Sequence, residues 1–171
     1  MKQIQDIFGI ETENEEFYRK ALTHPSYTKE KDLAYTENYE RLEFLGDAVL
    51  KLMISDILYR MYPASAEGEL SKIRSIAVSD NTLSKIAEQI GLNELIIASP
   101  HEIKQGVRKL ESVTACAFEA VLGAYYLDGK FNELLGFIKN IFVPYIEEIN
   151  SNFGKYNAKA ILQEYTQGLT K

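Results

Sequence analysis

Apolar residues recur along this chain at intervals of three and four for most of its length, the spacing of helices that each bury one face. Glu13 to Leu22 reads as a first helix, stopped by the turn-like His24-Pro25-Ser26. Lys29 to Asn38 is polar and reads as a connection. A long helix is expected from Tyr39 to Tyr62, where Pro63 ends it, followed by a loop from Ala64 to Gly68 and a helix from Ser71 to Ala77. Ser79 or Asp80 is placed to cap a helix over Asn81 to Ile90, which Gly91 closes. Leu92 to Gly106 reads as short and irregular. Ser112 to Leu127 is a second long apolar helix, and Asn132 to Ile149 an amphipathic one interrupted near Pro144. With no internal repeat and no strand-like alternation of useful length, the expected class is all-α.

The stretch Asn38 to Leu52, NYERLEFLGDAVLKL, departs from a simple amphipathic pattern. At about 100° per residue, Glu40, Glu43 and Asp47 share one narrow face, with Leu42, Leu45, Val49, Leu52 and Met53 opposite. Phe44, Leu50 and Ile54 flank the acidic sector with large apolar groups, so these carboxylates are expected to be partly enclosed. Enclosed like charges must take up protons or share a cation, and a divalent metal is the natural partner.

A second constellation lies in SVTACAFEAVLGAYYLDG, where Ser112, Cys116, Glu119 and Gly123 share a face. Small residues at Ala115, Ala120 and Gly123 let another helix approach closely. Glu119 is a lone carboxylate in an apolar helix, and its importance depends on whether it faces Glu43 and Asp47.

Composition narrows the setting. The 171 residues suffice for one domain with one core, and 46% hydrophobic with 26% charged residues is globular. Cys116 is the single cysteine, so no disulfide forms within the chain, and the N-terminal stretch lacks the apolar core of a signal peptide. No run approaches the roughly 20 apolar residues of a membrane span. A cytoplasmic, membrane-free protein is the expectation. Net charge −6 and a pI near 5.1 weigh against a nucleic-acid partner unless bound cations supply local positive charge.

NYERLEFLGDAVL is similar to the signature of the ribonuclease III family. ALTHPSY, EGELSKIRS and ESVTACAFEAVLGAYYLDG resemble three further stretches of that family in the same order, so the likeness covers most of Leu22 to Gly129. It implies a helical endonuclease-domain bundle that hydrolyses phosphodiester bonds of double-stranded RNA with Mg²⁺ or Mn²⁺, leaving 5′-phosphate and 3′-hydroxyl ends. Asp47 and Glu119 would be catalytic, and Glu43, Asp47, Cys116 and Glu119 would stand at the metal positions; Glu40 and Glu67 are weaker candidates. Phe44 matches an aromatic that packs across a homodimer interface in the family, against the simpler reading of a core side chain. Lys72, Arg74, Arg108 and Lys109, with Lys104, are the candidate RNA-binding cations.

Two features depart from the family pattern. Cys116 stands where the family has an aspartate, replacing a hard oxygen ligand by a soft sulfur. Asn157 to Gly168 resembles only the start of a double-stranded RNA-binding domain, which implies an endonuclease domain over 1–152 and an incomplete tail over 153–171. Together they raise an alternative, a catalytically impaired double-stranded RNA-binding or dimeric scaffold protein. A di-iron bundle would need paired ExxH motifs, and neither His24 nor His101 follows a glutamate by three.

Overall fold

The computed structural model of the chain describes residues 2–152; the tail expected over 153–171 lies outside the described residues. The described residues form helices joined by short turns, with one isolated bridge between Thr23 and Ile97 as their sole β-pairing. The all-α expectation holds. The α-helices are α1 (Lys2–Phe8), α2 (Glu15–Ala21), α3 (Pro25–Glu30), α4 (Glu40–Met61), α5 (Glu67–Ala77), α6 (Asp80–Gln89), α7 (Pro100–Lys104), α8 (Glu111–Leu127) and α9 (Phe131–Ser151).

Helix α8 is apolar nearly all round and is therefore buried as the axis of the bundle. Phe118 and Tyr125 are fully enclosed, packed against Phe8 of α1, Tyr18 of α2 and Phe142 of α9. Helix α4 lies across it and contributes Leu50, Met53, Ile54 and Leu58 to the same core. The apolar stripe of α4 turns toward Leu50 and Ile54, which are buried, while Leu52, expected on the buried side, is 60% exposed. The reason is the crossing: α8 meets α4 at Gly46, well away from Leu52 around the helix.

The helices differ from the sequence reading mainly at their ends. Asn14 caps α2 by accepting from the Glu16 N–H, and the His24 Nδ1 accepts from the Ser26 N–H to cap α3, so that Pro25, expected in a turn, opens a helix. Glu69 reaches back to the Ala66 N–H, which starts α5 at Glu67 instead of Ser71. Leu92 to Gly106, expected to be irregular, belongs to a segment packed around a small core of Ile96, Ala98 and Val107 with Val113 and Ala117 of α8. Gly91 and Gly106, at φ of 77° and 82°, make the two left-handed turns this segment requires. Helix α9 continues through Pro144, because Phe142 and Ile146 on either side hold its inner face in the core.

Candidate active site

The site begins with two glycines. Helices α4 and α8 cross so closely that a Cβ placed on Gly46 would collide with the Glu119 carbonyl group and lie 3.0 Å from the Gly123 nitrogen. A Cβ on Gly123 would in turn strike the Leu42 carbonyl oxygen and lie 3.2 Å from the Gly46 nitrogen. Each glycine admits the other helix's backbone. Asp47 follows Gly46 directly, Glu43 lies one turn earlier, and Glu119 lies one turn before Gly123. Backbone contact thus fixes the carboxylates of α4 beside that of α8.

Glu40, Glu43, Asp47 and Glu119 line one cleft of about 760 Å³, with Asp80 of α6 and Arg74 of α5 in its walls. The carboxylates feel one another strongly. Burial, then Asp47 and Glu43, push the Glu119 carboxyl up to about 8, so it carries a proton at neutral pH while the cleft holds no cation. Glu43 is also raised, first by burial and then by its acidic neighbours, and the Cys116 thiol partly offsets this by hydrogen-bonding to it. Cys116 itself is pushed up to about 12 by burial and by the Glu43 charge, so it stays a neutral thiol in the cation-free chain. Asp47 is held by Lys51 one turn along, with Nζ 2.8 Å from its carboxylate oxygens.

The donor set suits a hard divalent cation: carboxylate oxygens in a half-buried cleft whose mutual repulsion lacks sufficient positive charge to offset it. Glu43, Asp47 and Glu119 are the residues placed to hold one. Their side chains must turn inward to do so, since among the described residues no three acidic, thiol or imidazole groups already converge on a single cation position.

Sequence reasoning points to Glu43, Asp47, Cys116 and Glu119; Glu43, Asp47 and Glu119 line the cleft, and Cys116 lies beside it, hydrogen-bonded to Glu43. Glu40 lies on the exposed rim of the cleft. Glu67 stands away from it, on a smaller neighbouring pocket, where it accepts from the Ser71 hydroxyl. Arg74 lines the cleft, tethered by a 2.8 Å hydrogen bond from Nη1 to the Ser55 hydroxyl. Lys72 shares α5 with it. Arg108 has a different occupation: its Nε and Nη2 donate to the Ile96 carbonyl at 3.0 and 2.8 Å, which anchors the 92–110 segment. Lys109 and Lys104 are exposed on that segment, outside the lining of the cleft.

Three neighbours escape the sequence reading. Lys51 is legible as an i, i+4 partner of Asp47. Asp80 reads from sequence only as a possible cap, whereas Ser79 does the capping by accepting from the Thr82 N–H. Tyr39 is buried against Glu43 and Cys116, and burial together with these groups keeps its phenol protonated; no sequence periodicity marks it.

Phe44 answers differently from the core reading. Its ring is 83% exposed, on the rim of an apolar groove of about 650 Å³ lined by Phe17, Leu42, Leu45 and Leu127. Leu127 is itself 47% exposed.

Comparison with known proteins finds one family and its members. The family described as ribonuclease-III-like matches residues 14–146. Ribonuclease 3 of Shewanella oneidensis is 39% identical over 163 residues, which is 95% of this chain and 69% of that protein. Ribonuclease 3 of Borreliella burgdorferi is 42% identical over 159 residues, 93% of this chain and 64% of that one. The nuclease domain of ribonuclease III from Campylobacter jejuni superimposes with a TM-score of 0.73 at 32% identity, covering 82% of this chain and 97% of that one. The matched region contains both glycines of the crossing and every carboxylate of the cleft, and the chain belongs to the ribonuclease-III-like family.

Proposed function

We propose that this protein is a divalent-cation-dependent endoribonuclease that acts on double-stranded RNA as a homodimer. Its family membership makes it an endoribonuclease of the ribonuclease III type. The observation that carries the finer reading is the union of Glu43 and Asp47 from α4 with Glu119 from α8 in one cleft, forced by the Gly46–Gly123 crossing.

In this reading Glu43, Asp47 and Glu119 hold Mg²⁺, or Mn²⁺ in its place. A bound cation of this kind lowers the pKa of water and stabilises charge on a phosphodiester in transition. The chain's own groups prepare the site. Glu119 gives up its proton when the cleft is loaded, because the charge that raised it is then offset. Lys51 leaves Asp47 and stands as an unpaired cation at the cleft wall beside Arg74, where both meet RNA phosphates. Cys116 donates to Glu43 and keeps that carboxylate oriented. Tyr39, neutral and buried, closes the inner side. Hydrolysis at the 3′ oxygen leaves 5′-phosphate and 3′-hydroxyl ends.

The exposed Phe44 ring and its adjoining groove support the homodimer. A two-fold axis makes such a pair of features self-complementary, each copy's ring meeting the other's groove. The nuclease domain of the Campylobacter jejuni ribonuclease III likewise has a region involved in dimer formation. Duplex RNA is read by its A-form shape, 2′-hydroxyls and phosphates. Among the described residues no helix is long and apolar enough to cross a membrane.

The test is incubation of the purified chain with duplex RNA, single-stranded RNA and duplex DNA of one sequence. Cleavage confined to duplex RNA and abolished by chelation supports the reading. Intact duplex RNA in both Mg²⁺ and Mn²⁺, with the RNA still bound, favours the scaffold alternative raised by Cys116.

A further inference from the structure

Helix α3 has an imidazole for its cap, where asparagine, aspartate, serine or threonine is the usual choice. The His24 Nδ1 accepts from the Ser26 N–H at 3.1 Å. The Ser26 hydroxyl, 2.8 Å from the same nitrogen, accepts from the Ser99 N–H at 3.1 Å. Burial lowers the imidazole's pKa against the pull of Glu102 and Glu40, so at neutral pH the ring is uncharged and Nδ1 remains an acceptor. Main chain closes the same junction: the His24 N–H donates to the Ile97 carbonyl and the Ile97 N–H to the Leu22 carbonyl, both at 2.8 Å. His24 and Ser26 thus join α3 to the strap over 97–99 that leads into α7.

The start of α4 lies against this junction. Tyr39, the residue before α4, is buried, and its side chain makes no capping hydrogen bond. It is located instead by its neighbours. Its N–H donates to the Thr23 carbonyl at 2.9 Å, and its ring meets the His24 imidazole edge-on, with centroids 5.8 Å apart and planes at 74°. The Tyr39 carbonyl in turn accepts from the Glu43 N–H at 2.8 Å, so the first turn of α4 hangs from it. Capping α3 needs no ring, since an asparagine offers an oxygen to the same N–H. What imidazole adds is its face-to-edge contact with Tyr39.

We propose that His24 is a positioning residue of the cleft: its ring fixes Tyr39, and with it the first turn of α4 that carries Glu43, while its nitrogen holds α3 and, through Ser26, the strap. The inference rests on the nuclease reading above. It divides the imidazole's work in two, a cap that serves stability and a ring contact that serves the site, and the two are separable by substitution.

The experiment compares the wild type, His24→Asn, His24→Ala, Tyr39→Leu and Glu119→Gln by melting temperature in EDTA, calorimetric titration of Mn²⁺ into the RNA-free chain, and steady-state cleavage of duplex RNA. His24→Asn keeps the cap and loses the ring. It is expected to melt nearly as the wild type does, to bind Mn²⁺ about tenfold more weakly, and to lose about tenfold in kcat with KM unchanged. His24→Ala is expected to show the same losses and a lower melting temperature. Wild-type Mn²⁺ affinity and kcat in His24→Asn, alongside their loss in Glu119→Gln, overturn the role of His24 and leave the nuclease reading standing. A melting temperature in His24→Asn as low as in His24→Ala, with activity falling in proportion, makes the residue a structural cap and also overturns the proposal. A wild type that neither binds Mn²⁺ nor cleaves duplex RNA overturns both readings. If His24→Asn does not fold, Tyr39→Leu removes the other ring of the contact, and wild-type values in that variant overturn the proposal.

Discussion

Gly46 of α4 and Gly123 of α8 lie backbone against backbone, and this contact sets the spacing between the two halves of the acidic cleft. The obstruction to a side chain at either position is main chain, which cannot rotate aside. Gly46→Ala or Gly123→Ala is therefore expected to destabilise the fold by about 3 kcal/mol, seen as a lower urea midpoint. Any folded fraction should have lost cation affinity, because the helices must separate to admit the methyl group. Wild-type stability in either variant would contradict the crossing.

Metal-free stability should depend on pH in a defined direction. Glu119 titrates near the ordinary carboxylate value of 4.5 when unfolded and near 8 when folded, and Glu43 is raised in the same sense. A raised folded value means that the folded chain binds the proton more tightly. The associated stability is complete below about pH 4.5 and is lost as pH rises toward 8. In EDTA, the melting temperature should fall between about pH 5 and 8. Glu119→Gln should flatten this dependence, and Mg²⁺ should raise the wild-type melting temperature more at the alkaline end of that window than at the acid end. A melting temperature that rises with pH across this window would refute the assignment.

Phe44 is expected to matter for association and not for the core. Replacing an exposed ring leaves the monomer's packing intact, so Phe44→Ala should change the unfolding of the dissociated chain little. If the ring anchors a two-fold interface, its removal costs about 2 kcal/mol of association, a roughly thirtyfold weaker dimer. Sedimentation equilibrium over a concentration series measures this. An unchanged dimer constant would remove Phe44 from the interface.

Arg108 supplies a contrast among the cations. Its guanidinium satisfies the Ile96 carbonyl twice, so Arg108→Ala should cost about 1 kcal/mol of stability, without changing the RNA affinity of the folded protein. Arg74→Ala, in the cleft wall, should do the reverse: weaker binding to duplex RNA and a shallower salt dependence. Filter binding at several salt concentrations separates the two.

The acidic face of α4, the apolar length of α8 and the membership of Glu119 in the site are legible in the sequence because helical periodicity and ordered motifs encode them directly. The importance of Gly46 is not, since a glycine inside a helix reads as a weakness until its crossing partner is known. Asp80 and Tyr39 stay hidden for a related reason. Each comes beside the site's acids by tertiary placement alone, Asp80 from the start of α6 into the cleft wall and Tyr39 from the residue before α4 against Glu43, where no period applies. For Phe44 the angular position alone does not distinguish a core contact from an exposed ring, and in the sequence only the motif resemblance points to the exposed one.

The central claim is that Glu119 and the α4 carboxylates form one catalytic centre. It is tested most directly by cleavage of a perfect RNA duplex under single-turnover conditions with Mg²⁺ and then Mn²⁺, comparing the wild type with Glu119→Gln. The expected result is cleavage by the wild type and a loss of at least about a hundredfold in the variant, whose side chain keeps its size but not its charge. Equal cleavage by both proteins would contradict the account.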